Sequence, residues 1–134
     1  VVNDLCRTAF TEKKIVLKSD GSASRDFIHY KDIFNAIQIL LNYHTNELNN
    51  IFHLTSGITM PILQIVDKVK HIYKNRYGYN IPVIMPKGKQ STIKNRPETY
   101  IISNNKIQLI GFKQQIDLET GIHELFDYLE KNEN

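Results

Sequence analysis

Two arginines in this chain have surroundings that suit an anionic ligand. Arg25 comes just after the turn sequence of residues 19–22 (SDGS) and opens a stretch in which polar and apolar residues alternate. Arg96 lies in the segment 86–97, which also holds three lysines and contains no carboxylate. A guanidinium can bind a phosphate through two parallel N–H···O bonds. Both arginines are therefore candidate phosphate ligands.

Each arginine also has an alternative role. From spacing alone, an ion pair between Arg25 and a nearby carboxylate such as Asp26 or Asp32 is the commoner arrangement. Arg96, taken alone, fits a solvated loop charge. The net charge of +3 does not choose a ligand, because a modest positive excess suits small anions as well as nucleic acid.

The chain shows no recognisable catalytic set. It has no Gly-x-Gly-x-x-Gly or Gly-x-x-x-x-Gly-Lys-Ser/Thr loop for phosphates, no Gly-x-Ser-x-Gly turn, and no Tyr followed four positions later by Lys. The five histidines are scattered and Cys6 is the one cysteine, so we expect neither a structural metal site nor an internal disulfide. The chemistry carried by these 134 residues is therefore expected to be binding.

Apolar residues at helical spacing predict about four helices. Four of them are a helix at the start of the chain, one opened by Lys31 and Asp32, one capped by Thr59 and ended by Gly78, and a last one capped by Asp117. A further, brief helix is predicted from 104 to 110 and stops at Gly111. Asp32 is expected as the N-cap or as an acid in the first turn, and Ser103 as the cap of the brief helix.

Short strands are predicted at 14–18, 25–30, 51–54 and 81–85, with 100–102 extended. The sum is a mixed α/β domain occupying residues 1–134. No run of about 18 apolar residues occurs, and neither does a secretory signal, so we expect a cytoplasmic protein with no membrane partner. The chain opens with Val1 inside or just before a helix, and we therefore interpret it as a piece of a longer protein.

The order of these motifs resembles a known family. The stretch DGSASRDFIHYKDI is similar to the Asp-Gly-x-x-x-Arg-Asp-Phe-Ile-x-x-x-Asp signature of extended short-chain dehydrogenases/reductases, the NAD(P)-dependent nucleotide-sugar epimerases and dehydratases. The segment NKIQLIGF resembles the family's Lys-x-x-x-Leu-Gly-Trp/Phe element, and DLETGIHELFDYL its closing helix. The likeness runs from about residue 14 to residue 128.

The resemblance implies a role for the chain and for four residues. The chain looks like the C-terminal substrate-binding portion of such an enzyme, in carbohydrate biosynthesis, with the catalytic residues and the Rossmann domain that binds NAD or NADP lying upstream. The residue matching Arg25 contacts the substrate's diphosphate in family members, and the one matching Arg96 approaches the same diphosphate or the nucleotide. Many members have Asp three positions after that second arginine. Here Thr99 stands there, beside Glu98, and both become candidate substrate-binding residues.

Partners and alternatives follow from the same comparison. The expected partners are a nucleotide-sugar, the chain's own N-terminal Rossmann domain and further copies of the protein, and the isolated chain is expected to be inactive. One alternative is a non-enzymatic basic domain that binds RNA or a protein, but it leaves the order of the matched motifs unexplained. A second is an NADPH-dependent reductase of the same superfamily acting on another substrate.

Overall fold

The structure, a computed structural model, describes residues 1–44, 51–86 and 100–133, which form five helices and four short strands. The helices are α1 (Val2–Glu12), α2 (Tyr30–Asn42), α3 (Ile62–Tyr77), α4 (Asn105–Gln108) and α5 (Leu118–Asn132). The strands are β1 (Ile15–Val16), β2 (Ser24–Asp26), β3 (Thr59–Pro61) and β4 (Val83–Ile84). The mixed α/β class predicted from the sequence is confirmed, and the brief helix expected from 104 to 110 is present as the single turn α4.

The main core lies between α1, α3 and α5, which contact one another pairwise. Each of these helices buries the apolar residues that recur every three or four positions, because that spacing places them on one face. The buried side chains at its centre are Cys6, Ala9, Ile65, Val69, Tyr73, Ile122 and Phe126. Burying one such large apolar side chain stabilises the fold by roughly 1.5–3 kcal/mol.

The four strands form two separate two-stranded sheets. In the first sheet β1 runs parallel to β4, with Ile15 opposite Val83. In the second, β2 is antiparallel to β3, with Arg25 opposite Met60. Helix α3 begins directly after β3, so the second sheet is attached to the main core through that helix.

A second, smaller core joins α2 to α4 through Ala36, Ile107 and Phe112. The carboxylate of Asp32 is 1% exposed, and its two oxygens accept the backbone N–H groups of Gln115 at 2.9 Å and Ile116 at 3.1 Å. Asp32 lies in the first turn of α2, as one of the two predictions states, but it is not the N-cap. That position belongs to His29, whose Nδ1 accepts the N–H of Lys31 at 3.3 Å.

Several predicted boundaries are wrong. The strands expected at 14–18, 25–30 and 81–85 shrink to β1, β2 and β4, because a strand extends only where a neighbour completes its ladder. Residues 51–54 carry no ladder hydrogen bonds within the described part of the chain, and residues 100–102 also lie outside any strand. Thr59 does not cap α3 but begins β3, and Pro61 is the N-cap.

The helix ends predicted at Gly78 and Asp117 are confirmed. Gly78 ends α3 with φ 83°, a left-handed conformation that costs glycine little. Asp117 caps α5, since its Oδ1 accepts the N–H of Thr120 at 2.7 Å. Ser103 is not the N-cap of α4: Asn104 holds that position, although Ser103 Oγ accepts the N–H of Asn105 at 3.3 Å. The brief helix expected from 104 to 110 is also shorter, because it ends at Gln108, and Gly111 lies beyond it with φ 104°. Among the described residues, none of the helices is long and apolar enough to cross a bilayer.

Candidate functional site

Arg25 is the middle residue of β2, and its side chain is exposed. Its neighbours on the strand, Ser24 and Asp26, face the interior, because successive side chains of a strand point to opposite sides. Arg25 Nη1 donates to the carbonyl of Ser24 at 2.7 Å, and most of the five N–H donors of the guanidinium make no hydrogen bond to the described residues. The strand therefore presents a cation with open donors on the surface.

Among the described residues, none forms the ion pair that was considered as an alternative for Arg25. Asp26 Oδ1 accepts the N–H of Ser56 at 2.8 Å, and both oxygens of Asp32 accept backbone N–H groups, those of Gln115 and Ile116. Within residues 1–44, 51–86 and 100–133, no carboxylate lies within 4.0 Å of the Arg25 guanidinium. This leaves the guanidinium able to meet an anion from outside the described part of the chain.

The turn formed by residues 55–57 lies beside β2 and is held on two sides. On the first side, its Ser56 N–H binds Asp26, the residue next to Arg25. On the second, Thr55 Oγ1 donates to the carbonyl of Ile102 at 3.0 Å, and Asn104 Nδ2 donates to the carbonyl of Thr55 at 3.0 Å. Thr55 and Asn104 are each only 7% exposed, so these bonds are shielded from water.

Gly57 makes this turn possible. Its φ is +74°, a left-handed value that L side chains rarely adopt, and a Cβ at this position would stand 3.4 Å from Asn104 Nδ2. Its N–H donates to Thr55 Oγ1 at 3.0 Å, so the threonine hydroxyl accepts one bond and donates another. The turn is thus a compact connector between β2 and the segment that leads into α4.

The other three predicted site residues, Arg96, Glu98 and Thr99, lie outside the described residues, as does the basic segment around them. In sequence, Ile102 comes six residues after Arg96. The carbonyl of Ile102 is the one that Thr55 binds, so the chain is anchored a short distance downstream of Arg96. Nothing in the sequence singles out Thr55 and Asn104, because the hydrogen bond between them spans 49 residues and neither residue type is distinctive alone.

An RNA-binding surface on α3 would draw on the basic and aromatic residues in its last turn, and two of these, Arg76 and Tyr77, are committed to internal contacts. Arg76 binds Asp127 and also Glu130, with Arg76 Nε 2.7 Å from Glu130 Oε1. Tyr77 donates to that same Oε1 at 2.7 Å. The hydrogen bonds from Arg76 and Tyr77 lower the pKa of Glu130 to about 2, and burial raises the pKa of Tyr77. This cluster fastens α3 to α5, which runs against the RNA-binding alternative.

The cysteine and two of the histidines, which are the other side chains that could be reactive, show no sign of a catalytic arrangement in the described residues. Burial raises the pKa of Cys6 to about 12, so the thiol stays protonated and unreactive near neutral pH. His53, expected within an apolar strand, is exposed and outside any strand, while His29 is half-buried at the N-cap of α2, 3.6 Å from Glu124. In the described ranges no three His, Cys, Asp or Glu side chains are grouped to hold a metal ion.

The described residues do not fit a nicotinamide dinucleotide. Its pyrophosphate needs a glycine-rich turn that leads from a parallel strand into a helix N-terminus. The long helices of the described segments begin differently: α2 is capped by His29, α3 follows Pro61 of the antiparallel β3, and α5 is capped by Asp117. We therefore place no cofactor and no hydride-transfer step in this part of the protein.

Comparison with known proteins finds distant relatives. A putative UDP-glucose 4-epimerase of Methanocaldococcus jannaschii is 23% identical over 117 residues, which are 87% of this chain and 34% of that protein. A trifunctional UDP-glucose 4,6-dehydratase/UDP-4-keto-6-deoxy-D-glucose 3,5-epimerase/UDP-4-keto-L-rhamnose-reductase of Arabidopsis thaliana is 21% identical over 127 residues, 92% of this chain and 17% of that protein. No protein-family profile matches the chain.

Solved structures give the fold more directly. A UDP-glucuronic acid 4-epimerase from Bacillus cereus in complex with NAD superposes with a TM-score of 0.75 at 16% identity, over 97% of this chain and 39% of that one. TunA, an NAD-dependent NDP-hexosamine 5,6-dehydratase of tunicamycin biosynthesis, gives a TM-score of 0.72 at 18% identity, over 98% of this chain and 40% of that one. The chain thus spans about two-fifths of these structures, and less of the relatives found by sequence.

The chain accordingly has the fold of one part of a Rossmann-type nucleotide-sugar enzyme. Its relatives and structural neighbours are NAD-dependent nucleotide-sugar epimerases and dehydratases, which confirms the resemblance predicted from the DGSASRDFIHYKDI stretch and from the order of motifs after it.

Proposed function

We propose that this chain is the nucleotide-sugar-binding portion of an NAD(P)-dependent epimerase or dehydratase, and that Arg25 and Arg96 bind the substrate's diphosphate. The observation that carries the proposal is the exposed Arg25 guanidinium, held by β2 with no carboxylate partner in the described residues. It stands in the motif whose arginine contacts the diphosphate in the resembling family. NAD or NADP would bind to a dinucleotide-binding part outside these 134 residues.

The contribution of this portion is binding and orientation. A guanidinium bound to a diphosphate forms charge-assisted hydrogen bonds worth about 1.5–3 kcal/mol each. Two such arginines fix the nucleotide end of the substrate, so the sugar is held at one position against groups supplied elsewhere. Glu98 and Thr99 are proposed to contact the ribose or the base, since they stand where many family members have an aspartate. Alone, the chain is expected to be catalytically inactive.

Steady-state kinetics of the full-length enzyme that contains this chain test the role of Arg25. We expect Arg25→Ala to raise the KM for the nucleotide-sugar by about 10- to 100-fold, which corresponds to the loss of one charge-assisted contact. Arg25→Lys should recover part of the affinity, because an ammonium keeps the charge but not the bidentate geometry.

The matched control is Arg7→Ala. Arg7 is exposed on α1 and lies 3.2 Å from Glu133 on the C-terminal side of α5, so its loss removes an equal charge without touching β2. The KM of this variant should stay within about twofold of wild type, since exposed ion pairs contribute little. An Arg25→Ala enzyme with unchanged kcat and KM would refute the diphosphate assignment.

The chain's main partner is proposed to be the dinucleotide-binding part of the same protein. Helix α2 presents an apolar stripe to solvent, in which Tyr30 is 57%, Phe34 64% and Leu41 77% exposed, with Ile37 between them. Spacings of four, three and four residues place these side chains on one face. A contiguous exposed stripe of this kind marks an interface. Since the matched structures are more than twice as long as this chain, the remainder of the protein is the partner that we assign to it.

A further inference from the structure

Strand β2, which carries Arg25, is short and is paired along one edge. It spans Ser24–Asp26, and within the described part of the chain its partner strand is β3 alone. A pair of strands of this length holds its ends weakly, because two strands by themselves are marginally stable in water. Arg25 is one residue from the end of the strand, so the position of its backbone depends on what fixes that end.

The two ends of β2 are held in different ways. Before the strand, the Ile62 N–H at the start of α3 donates to the carbonyl of Ala23 at 3.0 Å, which joins the backbone to a helix of the main core. At the other end a side chain makes the contact, because Asp26 Oδ1 accepts the N–H of Ser56 at 2.8 Å. These two residues are 30 positions apart, so the bond joins the end of β2 to the turn of residues 55–57.

The Asp26 carboxylate makes this one hydrogen bond within the described residues. Its Oδ2 is buried and makes no hydrogen bond to them, and the same is true of the hydroxyl of Thr59, which lies opposite on β3. A hydrogen bond to an ionised acceptor is stronger than one between neutral groups. The turn that supplies the donor has a fixed shape, because Gly57 adopts a left-handed conformation there and Asn104 binds the carbonyl of Thr55 at 3.0 Å.

The location of the Arg25 guanidinium follows from that of the strand. Its Nη1 donates to the carbonyl of Ser24 at 2.7 Å, so the side chain is bound to the backbone of β2 itself. A shift of the strand end would therefore move the guanidinium and its backbone acceptor together. Binding through oriented groups is sensitive to displacements of about 1 Å. Loosening the contact at Asp26 should accordingly weaken the binding of an anion held by Arg25.

We propose that Asp26 is a positioning residue for the guanidinium of Arg25, because its carboxylate fixes the end of β2 to the turn of residues 55–57. This inference rests on the proposed function. Asp26 does not bind the substrate: its side chain faces the interior, and its charge has the same sign as that of a diphosphate. Its contribution should therefore appear in the affinity for a nucleoside diphosphate, and not in the affinity for the dinucleotide or in kcat.

The test measures the binding of UDP, dTDP and GDP, as probes, to the full-length protein by calorimetry. We expect Asp26→Ala to weaken the binding of the probe that the wild-type protein binds by about 5- to 20-fold, with NAD affinity and kcat within about twofold. Asp26→Asn keeps an oxygen that can accept the Ser56 N–H and removes a negative charge near the bound anion. This variant should bind the probe at least as tightly as wild type.

Thr59→Val is the matched control. It changes the residue directly opposite Asp26 and keeps its shape, but the hydroxyl that it removes has no hydrogen-bond partner among the described residues. Its affinity should equal that of wild type. Glu130→Gln controls for general stability, because it weakens the contact between α3 and α5 without touching β2. Its affinity for the probe should also equal that of wild type.

A variant of the turn tests the same contact from its other side. If Asp26→Ala does not accumulate as folded protein, Gly57→Ala replaces it, because a Cβ at a φ of +74° strains the turn that supplies the Ser56 N–H. Gly57→Ala should also weaken the binding of the probe, and wild-type affinity in that variant would overturn the inference.

A double-mutant cycle shows whether Asp26 acts through Arg25. If it does, Asp26→Ala added to Arg25→Ala should weaken binding further by less than about twofold. A full additive loss would overturn the inference, as would wild-type affinity in Asp26→Ala or an Asp26→Asn variant as weak as Asp26→Ala. If Arg25→Ala itself leaves the affinity unchanged, or if the wild-type protein binds none of the three probes, the proposed function fails as well, so the two failures are distinguishable.

Discussion

Asp32 shows how a single buried carboxylate can serve a structural purpose inside a sequence motif that also carries a binding residue. It is seven positions after Arg25, and its exposure is 1%. Its two oxygens accept the N–H groups of Gln115 and Ile116, which are 83 and 84 residues away in the chain. The aspartate thereby fixes α2 to the segment before α5, and it is not available to neutralise Arg25.

Replacing this carboxylate should be costly. We expect Asp32→Ala to lower the free energy of unfolding by about 2–5 kcal/mol, because two backbone N–H groups lose their acceptor in the interior. Urea denaturation of the variant and of the parent chain measures the difference. The control is Asp67→Ala, on the exposed face of α3. A loss for Asp32→Ala no larger than that of the control would show that the buried bonds contribute nothing.

At the scale of elements, the contact between α3 and α5 depends on a charged cluster at its edge. Arg76 and Tyr77 in the last turn of α3 meet Asp127 and Glu130 of α5. The hydrogen bond from Arg76, followed by that from Tyr77, lowers the pKa of Glu130 from 4.5 to about 2. These bonds connect elements whose apolar faces already pack together, so they set the register of the two helices.

This shift predicts a dependence of stability on pH. A carboxylate whose pKa is lower in the folded than in the unfolded state stabilises the fold above its unfolded pKa, and that contribution is lost as the pH falls from about 4.5 to about 2. We expect Glu130→Gln to lower the urea midpoint at pH 7. As the pH falls from about 4.5 to about 2, the urea midpoint of this variant should decrease less than that of wild type.

Glu119→Gln is the control for this pH effect. Glu119 is an exposed glutamate in the first turn of the same helix, 3.6 Å from Lys68. The urea midpoint of Glu119→Gln should decrease at acid pH by about as much as that of wild type. If the urea midpoints of Glu130→Gln and wild type decreased equally at acid pH, the role assigned to the hydrogen bonds of Glu130 with Arg76 and Tyr77 would be contradicted.

At the scale of the whole molecule, the two cores do not cover the apolar stripe of α2 within the part of the chain that the structure describes. The exposed stripe of α2, around Phe34 and Leu41, lies opposite the side on which Ala36 packs against α4. If this stripe is an interface within a longer protein, its side chains are buried in the full-length protein and exposed in the isolated chain. A charge placed in the stripe should then destabilise the full-length protein, and it should make the isolated chain less prone to self-association.

Phe34→Asp tests that interface. In the full-length protein it should lower the thermal midpoint by several degrees, as expected for a charge forced into an apolar contact. In the isolated chain it should instead reduce self-association, measured by light scattering over a dilution series. Leu109→Asp, at a position 86% exposed and outside the stripe, should change neither. A strictly monomeric isolated wild-type chain, or an unaltered full-length midpoint, would contradict the assignment.

The long helices and the class of the chain's relatives could be predicted from local sequence patterns. Helices α1, α3 and α5 are visible because their hydrogen bonds are local and their buried positions repeat every three or four residues. The caps at Asp117 and Gly78 are visible for the same reason. The resemblance around Arg25 rests on residues that are contiguous in the sequence, so it can be recognised without the tertiary structure.

Which polar groups contact one another depends on the tertiary fold and could not be predicted from the sequence. The strand bounds depend on partners far away in the chain, which is why the strand predicted at 51–54 is absent from the described residues and β3 was missed. The burial of Asp32 against residues 115 and 116 and the Thr55–Asn104 tie likewise join distant segments. No local pattern records such pairs, because long-range hydrogen bonds are set by how the helices pack. That packing also left the guanidinium of Arg25 on the surface with no described carboxylate beside it.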